Sequence, residues 1–138
     1  MSALGLFRAG GALLVLAGGL HFLGRFAPPP DSPAFPLAVQ AMEAVSLPIA
    51  GVTTNLHWIV ELLDWCFTLL SLLVGALNLA AARALASQPR TLRAVSLVNV
   101  AGLGAVVVAA VTYRVIPPAL CYSLAAACFA ATSLRARA

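Results

Sequence analysis

The sequence predicts an all-α integral membrane protein, a four-helix bundle forming a single transmembrane domain over residues 1–138. Three observations lead there. Hydrophobic residues make up 62% of the chain and charged residues only 9%, whereas a soluble domain carries about 25% charged residues. Too little polar surface exists to face water, and the mean hydropathy of +1.02 says the same. Finally, the apolar residues fall into four runs, each close to the ~20 residues that a bilayer-spanning helix needs.

The first span covers about residues 3–26 and contains "GGALLVLAGGLHFLG". "APPPDSPAFP" stops it, because proline lacks the N–H a helix interior uses and clashes with the preceding turn. Arg8 ahead of an apolar run, with Ser32-Pro33-Ala34 downstream, also fits a cleaved signal peptide; the retained span is the reading preferred here. "LAVQAMEAVSLPIAG", residues 37–51, is too short to span and only mildly amphipathic, so it predicts a short interfacial helix or structured loop. The second span covers about 53–83, the third 92–115 and the fourth 118–134, with "ALASQPRTLR" turning the chain between the second and third and "IPP" breaking it after the third.

Arginine sets the orientation, since basic residues favour the cytoplasmic side. With both ends inside, the cytoplasmic side holds Arg8, Arg83, Arg90, Arg93, Arg135 and Arg137, and the outside holds Arg25 and Arg114. The expectation is N-in, C-in, as a multi-pass membrane protein, with the Pro-rich loop outside. The net charge of +4 does not point to nucleic acid, because the arginines form no cluster with interleaved aromatics. Cys66, Cys121 and Cys128 make no CxxC and read as buried apolar fillers rather than a disulfide framework or metal site.

In lipid, apolar burial cannot draw helices together, so small residues must let backbones approach. Gly10, Gly11, Gly18 and Gly19 on the first span, Ser71 and Gly75 on the second, and Ala101, Ala105 and Ala109 on the third provide such positions. They predict a tight bundle within the chain, or a homo-oligomer seam on the third span.

"NLHWIVELLDW", Asn55 to Trp65, holds two of the chain's four acidic residues. At 100° per residue, His57, Glu61 and Asp64 fall on one stripe of the second span. A carboxylate near a helix centre costs about 2.5–3.5 kcal/mol on insertion scales, so the pair calls for partners or a wet cavity. His21 and Arg25, four residues apart on the antiparallel neighbour, supply candidates, with His21 and His57 expected at similar depth. Gly18 and Gly19 are expected to leave room for a cavity walled by Trp58, Trp65 and Phe22. Tyr113, Arg114 and Tyr122 add polar groups at the same end. An apolar wall with a few convergent polar groups is the usual form of a small-molecule site.

The expected function is therefore binding or transformation of a hydrophobic small molecule, such as a quinone, isoprenoid or sterol-like lipid. Glu61, Asp64, His57 and His21 would be the catalytic groups, and Arg25, Trp58, Trp65, Tyr113, Arg114 and Tyr122 the ligand-binding ones. Two carboxyl groups close together in low dielectric resist ionising together, which leaves one as acid and one as base. Isomerisation, cyclisation or epoxide opening would suit such a site. No cofactor and no metal are expected, and the partners are the lipid bilayer, the small molecule and a homo-oligomer or membrane protein. The alternative is a non-enzymatic accessory or scaffold subunit whose polar cluster is an ion-pair latch. A haem held by His21 and His57, or a proton-coupled carrier, are lesser readings. The chain contains no GxxxxGK[ST], GxSxG or HExxH.

"GGLHFLGRF", "MEAVSLPIAG" and "YRVIPPALC" together resemble small four-span bacterial membrane proteins of no settled activity, loosely DoxX-like. The likeness covers most of the chain and implies only the fold and a place in the bacterial inner membrane. Members of that group carry an arginine shortly after the glycine corresponding to Gly51, where this chain has "GVTTN". His57-xxx-Glu61 on a membrane helix, with tryptophan nearby, is similar to the sterol isomerase and sigma-2 receptor family. That resemblance implies carboxylates and aromatics handling a proton or cation in a lipid-fed cavity.

Overall fold

The fold was obtained as a computed structural model, which describes residues 1–136. It is all-α apart from one small hairpin, in the order α1 Ala3–Gly24, α2 Ala34–Ala44, β1 Ser46–Ile49, β2 Val52–Asn55, α3 Leu56–Leu85, α4 Pro89–Thr112 and α5 Ile116–Arg135. Four of these helices, α1, α3, α4 and α5, are long and apolar enough to cross a membrane. They run alternately up and down. The α1 start, the α3–α4 turn and the α5 end therefore share one end of the bundle, with Arg8, Arg83, Arg90, Arg93 and Arg135 there. Arg137 lies outside the described residues. The other end carries α2, the hairpin, the α4–α5 turn and all four acidic residues.

Local chemistry explains the boundaries. The Ser2 hydroxyl caps α1 by accepting from the Gly5 N–H at 3.1 Å. The Asn55 side chain caps α3 by accepting from the Trp58 N–H at 2.9 Å. At 30 residues, α3 is about 45 Å long, well over the ~30 Å hydrocarbon thickness. Its N-terminal turns therefore project beyond the last turn of α1.

Two expectations about the connections need correction. Residues 37–51 do not form one element: α2 starts earlier, at Ala34, and ends at Ala44, after which the chain makes an antiparallel hairpin with Ser46 opposite Asn55. Its two-residue turn, Ala50-Gly51, has positive φ at both positions (49° and 82°), the conformation that matches the twist of paired strands. "SLPI-AG-VTTN" carries little apolar alternation, so it gave no clear strand pattern. The other correction concerns "IPP". The third span ends earlier, at Thr112, and Arg114 turns the chain at φ 59°. Pro117 and Pro118 then sit in the first turn of α5, where a missing N–H costs nothing.

The interior mixes an apolar core around Phe7, Leu14, Leu103 and Phe129 with small polar side chains. Thr68, Ser71, Asn78, Ser96, Thr132 and Ser133 are buried, while Leu62, Leu69, Leu73, Leu77, Val98 and Val108 are exposed. Thr68, Ser71, Ser96 and Thr132 each donate to a carbonyl one turn back in their own helix, so they act inside as small, already satisfied side chains. Leucine and valine facing outward suit a lipid surround.

Helix α1 packs on both α3 and α5, and α4 packs on α5 while meeting α3 only lightly. The α1 glycines divide the work. A Cβ on Gly11 would lie 3.3 Å from the Gly75 carbonyl, and one on Gly10 would lie 2.9 Å from the Phe129 ring. Phe129 meets Phe7 edge to face, with centroids 5.4 Å apart. By contrast, Ala101, Ala105 and Ala109 face outward on α4. Cys66 is exposed too, correcting the expectation that all three cysteines are buried; Cys121 and Cys128 are half-buried and all three are free.

The α3–α4 seam rests on a reciprocal amide pair: Asn78 Nδ2 donates to Asn99 Oδ1 and Asn99 Nδ2 to Asn78 Oδ1, both at 3.0 Å. Asn78→Leu should lower stability by about 1 kcal/mol, the scale for an interhelical hydrogen bond in lipid. The double change Asn78→Leu/Asn99→Leu should cost less than the sum of the singles, because neither amide is then stranded. Unfolding midpoints of the three variants in detergent measure this.

Candidate functional site

Where α1, α3 and α5 meet at the acidic end, the bundle opens into a cavity of about 550 Å³. One face of α1 contributes Ala17, Leu20, His21, Gly24 and Arg25, spaced three and four apart. Helix α3 contributes Glu61, Asp64 and Phe67, and the first turns of α5 contribute Pro117, Pro118, Cys121 and Tyr122. Most of this wall is apolar, and the charged groups gather on one side.

Those groups form a single network. His21 Nε2 lies 2.6 Å from Asp64 Oδ1. Arg25 bridges both acids, its Nη2 paired with Glu61 and its Nη1 with Asp64. A guanidinium is a planar fork of donors and can hold two carboxylates at once. Its carbon lies 4.4 Å from the centroid of the Trp65 ring, a cation–π contact. Phe22 braces the other edge of Trp65, at 5.9 Å between centroids. The Arg25 side chain is only 16% exposed, so it is held at the cavity rather than extended towards water. One guanidinium is shared between two carboxyl groups, so with both ionised and His21 neutral the cluster carries one negative charge.

A second, smaller network closes the floor. His21 meets Phe67 edge to face at 5.5 Å, and Phe67 meets Tyr122 in the same way at 5.4 Å. The Tyr122 hydroxyl lies 2.6 Å from Ser71 Oγ, tying α5 to α3.

No family model, curated protein or solved structure matches this chain. The functional reading therefore rests on the geometry.

Of the residues singled out in the sequence, Glu61, Asp64, His21, Arg25 and Tyr122 come together at the cavity, and Trp65 backs Arg25 without lining it. His57, Trp58, Tyr113 and Arg114 do not line it. The two histidines are not level. His21 faces Asp64, and His57 stands seven residues earlier on α3, about 10 Å further along the axis. The reason is the end of α1 at Gly24, which leaves the first turn of α3 with no α1 side chain opposite. His57 Nδ1 is buried with no partner among the described residues. Trp58 and Tyr113 are 64% and 79% exposed, and Arg114 sits in the α4–α5 turn.

The glycines expected to make room do otherwise. A Cβ on Gly18 would lie 2.9 Å from Leu72, so Gly18 is a helix contact, while Gly19 faces open space away from the lining. The sequence gives Phe67, Pro117 and Pro118 no part in the site and singles out Ser71 only as a small packing position. Phe67 and Ser71 were legible as the three- and four-residue continuation of Glu61 and Asp64 on α3. The prolines were read only as chain breakers. Among the described residues no group of three His, Cys, Asp or Glu side chains is placed to hold a metal ion.

Proposed function

We propose that the protein is a multi-pass protein of the bacterial cytoplasmic membrane whose cavity binds, or transforms by acid–base chemistry, a hydrophobic small molecule. The observation that carries this reading is the His21–Asp64 pair opening onto a sizeable apolar cavity. Ionisable groups inside a span are expensive and need a reason to be there. The imbalance of arginine between the two ends supports an orientation with the cavity at the outer side and the arginine-rich end in the cytoplasm.

The chemistry follows from the contacts. Asp64 fixes the His21 ring and would stabilise the imidazolium formed when His21 takes a proton, as the acid of any His–Asp pair does. Arg25 keeps Glu61 and Asp64 in place. A second reading also has a specific observation in its favour: Arg25 is engaged by both acids of α3, which is the geometry of a latch fixing α1 against α3. In that case the protein is an accessory or scaffold subunit, acting through a membrane partner.

Glu61→Gln/Asp64→Asn separates the two. Wild type and variant are purified in mild detergent and extracted for mass spectrometry of co-purified small molecules. A defined apolar compound is expected in the wild type and absent from a folded variant. Equal extracts from two folded proteins would sink the cavity reading and leave the latch.

A further inference from the structure

The polar atoms that face the cavity can be sorted into donors and acceptors, and the acceptors predominate. Glu61 and Asp64 carry carboxylates, which only accept. Each terminal nitrogen of Arg25 gives one of its two hydrogens to those acids, and the face of the guanidinium is covered by Trp65. With Asp64 ionised beside Arg25, its oxygen 2.6 Å from His21 only accepts, so His21 Nε2 carries the hydrogen. In the neutral ring that leaves Nδ1 bare, as an acceptor.

Tyr122 is settled by the same logic. Ser71 has one hydroxyl hydrogen, and it is spent on the Phe67 carbonyl at 2.8 Å. The 2.6 Å contact between Ser71 and Tyr122 must therefore use the tyrosine hydrogen. The phenol oxygen then has only lone pairs to offer. The donors left in the lining are the unused Arg25 N–H groups, held beside the two carboxylates, and the weak Cys121 thiol. Added to this is the negative charge left over between two carboxylates and one guanidinium.

We infer that the ligand of this cavity is an apolar molecule with a neutral hydroxyl head group, an alcohol or a phenol, that donates its hydrogen bond to His21 Nδ1 or to the Asp64 carboxylate. Molecules that only accept, such as ethers, esters and ketones, leave the His21 and carboxylate acceptors unpaired and are disfavoured, and the excess of carboxylates disfavours phosphate-bearing lipids as well. A site built to pair with a ligand hydroxyl discriminates strongly against the analogue that lacks it, because its own buried polar groups are then stranded. This inference rests on the cavity being a ligand site, as proposed above.

The test uses the purified full chain in mild detergent, with Trp58→Phe so that Trp65, stacked on Arg25, is the fluorescent reporter. Trp58 is exposed and outside the lining, so this change leaves the cavity intact. Three probes are titrated, each corrected for its partition into micelles: 4-nonylphenol, its methyl ether, and dodecyltrimethylammonium, a cation with no N–H. The phenol is expected to bind at least about tenfold more tightly than the ether, and more tightly than the ammonium.

In a folded His21→Ala variant the preference for the phenol should shrink. Equal binding of phenol and ether overturns the hydroxyl inference and leaves the ligand cavity standing. An ammonium as tight as the phenol also overturns it, since charge alone would then be recognised. No binding of any probe overturns both the inference and the cavity reading, and turns attention to the latch.

Discussion

Replacing Arg25 with glutamine is expected to destabilise the protein more than any other single change in the charged cluster, by about 2–3 kcal/mol. The magnitude lies between two limits: removing one partner of a fully buried ion pair costs 3–5 kcal/mol, and an exposed pair contributes under 1. Glu61 and Asp64 are each about one-third exposed while Arg25 is mostly covered, so the cluster falls between. The loss has two parts. Two carboxylates lose their shared cation, and Trp65 loses the guanidinium stacked on it. The triple variant Arg25→Gln/Glu61→Gln/Asp64→Asn should recover most of the stability, since no charge is then left uncompensated. Arg25→Lys should recover part of it, because an ammonium is a point charge and cannot fork between two acids. Unfolding midpoints in one detergent, compared across the four proteins, decide the matter. An Arg25→Gln protein as stable as wild type would mean that water, not Arg25, compensates the acids.

This cluster also shows how far the sequence could be read. The stripe on α3 was visible as Glu61 and Asp64, and the partner helix as His21 and Arg25, because a 3.6-residue period and an antiparallel neighbour suffice to bring them together. The same stripe runs on through Thr68, Ser71, Gly75, Asn78 and Ala82 at alternating spacings of three and four, all buried. It is polar or small throughout, so a search for an apolar face misses it. In lipid the inward face is the one with the smaller and more polar residues. Depth was less legible than facing. Placing His57 level with His21 required knowing that α1 stops at Gly24 and that α3 extends beyond it, and helix ends are the least certain feature of any sequence reading. The hairpin was hidden because its turn, Ala50-Gly51, lacks the Asn-Gly signal of a two-residue hairpin. The four spans, by contrast, follow from composition and run length alone.

Gly75→Ala should be the most damaging single methyl in the protein. A Cβ at this position would lie 2.8 Å from the Val15 backbone nitrogen and 2.9 Å from the Gly11 carbonyl oxygen. Both are backbone atoms, so no side-chain rotation relieves the clash and α1 must move away from α3. Overpacking costs up to about 3 kcal/mol, and the better helix propensity of alanine returns about 1, for a net loss of about 2 kcal/mol.

Gly102→Ala is the matched control. Its Cβ would meet nothing within 4 Å, so that change should be neutral or stabilising by up to about 1 kcal/mol. The effect should also reach the cavity. His21 and Asp64 stand ten and eleven residues from Gly11 and Gly75, about 15 Å along the same two helices. Separating those helices lengthens the His21–Asp64 contact, whose 2.6 Å leaves no slack. A Gly75→Ala protein that stays folded should therefore lose ligand retention along with stability, while Gly102→Ala keeps both. If Gly75→Ala melts early but retains its ligand as wild type does, the close crossing of α1 and α3 stabilises the bundle without setting the geometry of the site.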